Sequence, residues 1–496
     1  MMDDRCRAAY ERYYEELGRK ADALFLALRE GIVAGMLEDG QQLASSRRLA
    51  ESYGMSRGSV NAAYDMLYAE GFVRPGRGSG TYVSYSKPAA TKTRNGQEGK
   101  ASELALSSWA LRLPQIKGNT KRTVHEEPDF IAFDVGYADA LLFPQNEWKT
   151  TMFAEVRGLL ERQYEDYGAI EGHLPLREAI ASELRRERSM ITSVDHLFIT
   201  SGSMYGIALL AQLLIDPGDQ VVVEDPCYPG IRRAIAAAGG VIIDAEVDDY
   251  GIVPQDWDAK LLFVTPTRQY PTGAQLAPER KLELLQWASR RDAVIIEDDY
   301  DSEFRWGGRP AEPLKTLDHE GRVVYVGTFS KTMYADLRLG YVITPDALRE
   351  PLRRAKFLLE PSPSSIAEQR ALAVFMASGQ YVRHLRRMRR SCGRRLKLFK
   401  EQAAEQLAGL FRFTPSDAGL HQYGVWLGAA ADYERLIERC QREGVSWNRG
   451  ERLWRKPEER RAPAALFGFA HLAEADIKEG MRRIAACWED VQRQRG

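Results

Sequence analysis

The sequence predicts an α/β protein in two parts, an N-terminal winged helix-turn-helix and a larger C-terminal domain on a mostly parallel sheet. Three observations predict it. Short helical patterns cut by glycines run to about Ser84, a polar stretch without apolar periodicity follows, and beyond it strand-like apolar runs alternate with helical segments. The expected boundaries are 15–84 for the first domain, 85–127 for a linker and 128–496 for the second domain.

The composition allows this plan and excludes others. A chain of 496 residues has room for more than one domain. Its 44% hydrophobic and 28% charged content argues against global disorder. The formal net charge of −1 means that any nucleic-acid contact has to come from a local patch. Five cysteines (Cys6, Cys227, Cys392, Cys440 and Cys487) are scattered without paired spacing, which supports neither a disulfide framework nor a zinc site. The N-terminus shows no signal peptide, and no stretch approaches the roughly 20 apolar residues of a membrane span. The expected location is the cytoplasm.

In the first domain, Leu24, Leu28 and Ile32 form one stripe of a helix from Ala21 to Gly35. Ser45 or Ser46 caps a short helix that Gly54 ends, and Ser56 caps the next, through Arg57, Ser59 and Asn61 to about Ala69. Two strands, Phe72 to Arg74 and Thr81 to Val83, flank a Gly-rich turn. This order is that of a winged helix-turn-helix, whose second helix enters the major groove of double-stranded DNA. Arg57, Ser59 and Asn61 are then the candidates for base or phosphate contact, Arg47 and Arg48 for the backbone, and Arg77 with Gly78 for the wing. The residues from Leu43 to Val83, among them Gly54-Met55-Ser56-Arg57 and Gly78-Ser79-Gly80-Thr81-Tyr82-Val83, resemble the GntR-type winged-helix domain. Ala44 stands where that family usually has proline, implying a less rigid loop, and Gly58 leaves one side chain fewer for base readout.

The segment after Ser84, rich in Lys, Thr, Gly and Ala, has too little apolar surface for a core and reads as a flexible linker, with order returning near Ser107 to Leu113. In the second domain, strand-like runs lie at His196–Thr200, Gln220–Val223, Val241–Ile243, Leu261–Val264, Ala293–Glu297 and Val323–Val326. Ligands of such sheets gather at the carboxyl ends of the strands. Further on, Arg383 to Lys400 is basic but carries an apolar stripe of Leu385, Met388, Cys392, Leu396 and Phe399, which favours an amphipathic helix over a second DNA contact.

The strand ends carry a chemistry. Val326-Gly327-Thr328-Phe329-Ser330-Lys331 ends a strand in hydroxyls and a lysine, with Arg338 a short loop later. Pyridoxal 5′-phosphate needs a lysine for its aldehyde, a carboxylate for its ring nitrogen, a donor for its phenolic oxygen, a flat partner and a phosphate cup. Lys331, Asp298, Tyr300 and Tyr228 supply the first four in that order. Ser201, Gly202 and Ser203 at a helix start, with Thr328, Ser330 and Arg338, supply the cup. A lone Ser-Lys pair carries little weight, and it is the ordered set that points to the cofactor.

With Leu142-Phe143-Pro144, Tyr167-Gly168, Pro271-Thr272-Gly273, Glu297-Asp298-Asp299-Tyr300 and Ala418-Gly419-Leu420-His421, the region from about residue 130 resembles a fold-type I aminotransferase, a PLP-dependent transferase. The whole chain therefore resembles the MocR subfamily of GntR regulators. The resemblance implies Lys331 as the Schiff-base lysine, Asp298 on the ring nitrogen, Tyr300 on the phenolic oxygen, Arg338 on the phosphate and Arg449 on an effector carboxylate. Arg268 stands where the family commonly has histidine, Ala335 replaces a proline, and Tyr270 takes the place of an asparagine usual in true aminotransferases. Arg268 is expected to alter the ligand pocket. The implied function is a homodimeric, DNA-binding transcriptional regulator that senses an amine, an amino acid or a B6 vitamer. The alternative is a working aminotransferase with an appended DNA-binding domain.

Overall fold

A computed structural model describes residues 4–76, 80–85, 105–113, 129–136, 139–161, 169–306, 311–455 and 462–494. The chain divides into two units, Met1–Ala105 and Leu106–Gly496. The predicted wing residues Arg77 and Gly78, most of the predicted linker, and Tyr167-Gly168 lie outside the described residues.

The N-terminal unit begins with α1 (Asp4–Leu17), which packs along α2 (Lys20–Val33) and adds Cys6, Ala9 and Tyr10 to the core. This helix precedes the start read from the sequence at residue 15, because its inward face is small and its charges are mixed. Leu24, Leu28 and Ile32 of α2 are buried as their spacing requires. Helix α3 (Ser46–Tyr53) is capped by Ser45, whose hydroxyl accepts from the Arg48 amide, and ends at Gly54 with φ 58°. Ser56 caps α4 (Arg57–Ala69) in the same way through the Ser59 amide. Strands β1 (Val73–Pro75) and β2 (Thr81–Val83) pair antiparallel as the wing.

The second unit carries two sheets. Strand β3 (Ile131–Phe133) belongs to the smaller one. The larger contains β4 (Leu197–Thr200), β5 (Gln220–Asp225), β6 (Val241–Asp248), β7 (Gly251–Ile252), β8 (Leu261–Val264), β9 (Val294–Asp299), β10 (Val323–Thr328) and β11 (Gly340–Ile343). Its order is β4-β11-β10-β9-β8-β5-β6-β7. From β10 to β6 each neighbouring pair is parallel. Strand β11 runs antiparallel between β10 and β4, so β4 keeps the common direction, and β7 is an antiparallel edge. Alternate residues face opposite cores: Val221 and Val223 join one cluster with the helix Ser203–Leu214, while Val222 joins another with Leu284 and Trp287.

The smaller sheet completes with β12 (Phe411–Phe413), β13 (His421–Trp426), β14 (Val445–Arg449) and β15 (Ala464–Gly468). Helices Gln380–Gln406, Ala430–Arg442 and Glu474–Arg493 share its core. The predicted stripe Leu385, Met388, Cys392, Leu396 and Phe399 is buried on the first of them. Arg395 of the basic stretch is buried too, paired with Asp139. Among the described residues no helix is long and apolar enough to cross a membrane.

Candidate functional site

Sheet topology gathers the predicted cofactor residues at one edge. Strands β4, β5, β8, β9 and β10 are followed there by Ser201, Tyr228, Arg268, Tyr300 and Lys331 respectively. Because β11 is antiparallel, its beginning lies at the same edge: Gly340 pairs across to Thr328 on one side and Thr200 on the other. Arg338, two positions earlier, is thereby delivered to the start of the helix Ser203–Leu214.

The residues predicted for a phosphate cup lie near one another there. A Cβ on Gly202 would lie 2.7 Å from Arg338 Nη2, so the guanidinium sits against that glycine. Gly202 has φ +85° and caps the helix, leaving the first helical amides free to meet an anion. On the neighbouring turn Thr328 Oγ1 is 3.1 Å from Ser330 Oγ and accepts the Ser330 amide at 3.1 Å. Ser201 Oγ lies 2.7 Å from Ser364 Oγ.

At the other end, Lys331 Nζ donates to the Gly136 carbonyl at 2.9 Å. A Cβ on Gly136, at φ +96°, would come within 3.0 Å of that nitrogen. No sequence signal connects this turn after β3 with the lysine. Burial lowers the Lys331 pKa, opposed by Asp301 and Asp298, which favours an uncharged, nucleophilic amine. Asp298, next to last in β9, is a buried carboxylate whose Oδ1 has no hydrogen-bond partner among the described residues. Burial, then Asp299 and Asp301, raises its pKa to about 7, while Lys331 opposes the shift. A protonated pyridine nitrogen is the kind of partner this oxygen lacks, so the residues present fit pyridoxal phosphate.

Aromatic rings close the site. Tyr270 lies edge-on between Tyr228, with centroids 5.9 Å apart, and Tyr300, at 5.5 Å. Tyr300 Oη accepts from Arg268 Nη1 at 2.8 Å. The same nitrogen reaches Asp301 at 3.0 Å, and Arg268 Nη2 donates to the His421 carbonyl at 2.8 Å. Burial and the Arg268 charge push the His421 pKa well down, so the ring is neutral. The sequence flagged Arg268 as unusual but gave no sign that its partner is Tyr300, because that pairing depends on loops after two different strands.

Arg449 stands apart. Its guanidinium is held by Glu434 and Glu451, and among the described residues no hydrogen bond or ion pair links it to the other predicted site residues. In the N-terminal unit, Arg47, Arg48, Arg57 and Asn61 are exposed on α3 and α4. Arg47 lies 3.4 Å from Glu51, while Ser59 spends its hydroxyl on Ser56 Oγ at 2.9 Å and serves the cap. The loop at Ala44, expected to be looser for want of proline, is tied by Tyr64 Oη donating to its carbonyl at 2.5 Å.

Family models match both units: residues 20–83 match the bacterial regulatory proteins of the gntR family, and residues 140–447 match aminotransferase class I and II. The chain is 34% identical over 481 residues to a probable rhizopine catabolism regulatory protein, MocR, of Rhizobium meliloti, covering 95% of both chains. It is 32% identical over 397 residues to the pyridoxine biosynthesis transcriptional regulator PdxR of Corynebacterium glutamicum, covering 79% of this chain and 80% of that one. Among solved structures, a Pyrococcus horikoshii kynurenine aminotransferase superposes with a TM-score of 0.66 at 26% identity, over 74% of this chain and 92% of that one.

Proposed function

We propose, on the premise that the chain belongs to the MocR-type GntR regulators, that it reports the chemistry of its pyridoxal phosphate site to a DNA operator. The observation that carries this reading is the unpartnered Asp298 Oδ1 opposite Lys331, in a chain that also presents a winged helix. Bound pyridoxal phosphate supplies an aldehyde that joins covalently to amines and a ring that withdraws electrons from them.

The chain's own residues hold and tune that group. Gly202, Ser203, Arg338, Thr328 and Ser330 receive the phosphate, with Ser201 behind them through its contact to Ser364. Asp298 keeps a proton on the ring nitrogen, Tyr300 donates to the phenolic oxygen, and Tyr228 covers the ring with Tyr270 behind it. Lys331, its pKa lowered by burial and its Nζ on the Gly136 carbonyl, is the amine that an incoming amine, amino acid or vitamer displaces or leaves in place. Arg449 takes an effector carboxylate only by exchanging it for Glu434 or Glu451. Arg47, Arg48, Arg57 and Asn61 face the DNA, and Arg77 and Gly78 keep the DNA-contact role the sequence suggests for them. We place the protein in the cytoplasm as a homodimer, by analogy with the regulators it resembles.

The test is a DNA-binding titration of the cofactor-loaded full chain on fragments selected with it, against a panel of amines, amino acids and vitamers. Wild type is expected to change affinity with at least one ligand and Lys331→Ala with none. A wild type indifferent to every ligand overturns the regulator reading, and sustained multiple turnover of an amino donor and a keto acceptor favours an enzyme.

A further inference from the structure

Arg268 is an unusual residue to find at the heart of such a site. It is buried, yet it is not a spare charge, for its Nη atoms meet Tyr300 Oη, the Asp301 carboxylate and the His421 carbonyl. The backbone is shaped for it. Gly419 has φ +82°, and a Cβ there would fall 2.1 Å from Arg268 Cζ; Gly273 has φ +80°, and a Cβ there would lie 3.3 Å from Nη2. Two glycines in left-handed conformation thus make the space the guanidinium fills.

The hydrogen bond has a direction. A guanidinium only donates, so Tyr300 Oη must accept from Arg268, and its own proton points elsewhere. Burial raises the Tyr300 pKa, so that proton stays in place near neutral pH. We propose that Arg268 is a positioning residue that fixes the Tyr300 hydroxyl as a donor to the cofactor's phenolic oxygen, and so sets the protonation of the nitrogen that joins cofactor to Lys331. A cation held beside Tyr300 disfavours a second positive charge on that nitrogen, which depresses its titration midpoint. The other charged or titratable groups around Arg268 and Lys331 are Asp298, Asp301, Tyr270 and His421. Asp301 pairs with Arg268 and also acts on Lys331, so the two charges are linked through it.

The inference rests on pyridoxal phosphate being attached at Lys331, and the experiment separates the two. The visible absorbance of the cofactor-loaded full chain is titrated with pH. Arg268→Met is expected to raise the midpoint by on the order of one pH unit, since it removes a cation and uncovers Asp301. Arg268→Lys, which keeps the charge, is expected to return most of the shift. In a Tyr300→Phe background the effect of Arg268→Met is expected to shrink to less than half. The pair Arg268→Met/Asp301→Asn, read against Asp301→Asn, leaves no lone buried charge and carries the same reading if the single variant does not fold. An unmoved midpoint in these variants, or shifts that add independently of Tyr300, overturns the role of Arg268. Borohydride fixing the pyridoxyl group on another lysine overturns instead the assignment of Lys331.

Discussion

The two units treat charge in opposite ways. The N-terminal unit displays Arg48 and Arg57 in the open, on helices whose cores are closed by Leu49, Val60 and Leu67. The cofactor unit hides Asp298, Asp301 and Arg268 among aromatic rings, and each bends the pKa of its neighbours. An exposed charge is cheap to hold and acts through the field it offers a partner. A buried charge is costly unless matched, so its partners are dictated, and an unmatched one marks the place of a missing ligand. Changes in the first unit should therefore alter binding without altering stability, and changes in the second should alter both.

The sharpest way to break this contrast is Asp298→Asn. Cofactor affinity is expected to fall by about 2 kcal/mol, the scale of a hydrogen bond to a charged group, as read by equilibrium titration. The cofactor-free variant should respond the other way. A carboxyl raised from its unfolded value of roughly 3.9 to about 7 gives the folded state more bound protons than the unfolded one, so stability falls as pH rises through that window. Asparagine removes that fall, worth up to ~1.4 kcal/mol per pH unit, and denaturant melts between those pH values will show a shallower slope than wild type.

In the reader, Arg57→Ala is expected to weaken operator binding by about 1–3 kcal/mol and relax base preference, with a melting temperature unchanged from wild type. Arg48→Ala is a smaller blow: binding falls alike on all sequences and the salt slope drops by about one. Smallest of all is the neutralisation of Arg386, Arg387 and Arg390, exposed on the helix Gln380–Gln406, which should leave DNA affinity and salt slope where they were. A loss there would extend the DNA-facing surface into the second unit and blur the contrast.

The sequence was most readable where local rules act alone. The caps at Ser45 and Ser56, the stop at Gly54 and the span of α4 follow from short-range hydrogen bonding, and they fall where the residues put them. Strand β8 matches its apolar run, and β4, β5 and β9 begin within a residue of theirs. Strand β11 was not foreseen, because Gly340 to Ile343 follows a functional arginine and is too brief to show alternation. Helix α1 escaped because its buried face is built from Cys6, Ala9 and Tyr10 rather than large aliphatics. Around the candidate site, position at a strand end was legible, as Lys331 after β10 and Asp298 in β9 show. Contacts made between distant loops, such as Gly136 with Lys331 or Arg268 with Tyr300, depend on the sheet order and had no local signal.

Strands β10 and β11 are adjacent and hydrogen-bonded, and the loop between them begins at Phe329 and ends at Leu339. It carries Lys331 near one end and Arg338 near the other. The hairpin is therefore a caliper, with an amine on one jaw and a guanidinium on the other, both anchored by the paired strands. In the proposed cofactor pose, a vitamer without its phosphate would meet only one jaw. The proposed pose therefore predicts that the site prefers the phosphorylated vitamer to its unphosphorylated precursors, a preference that equilibrium titration with each would read.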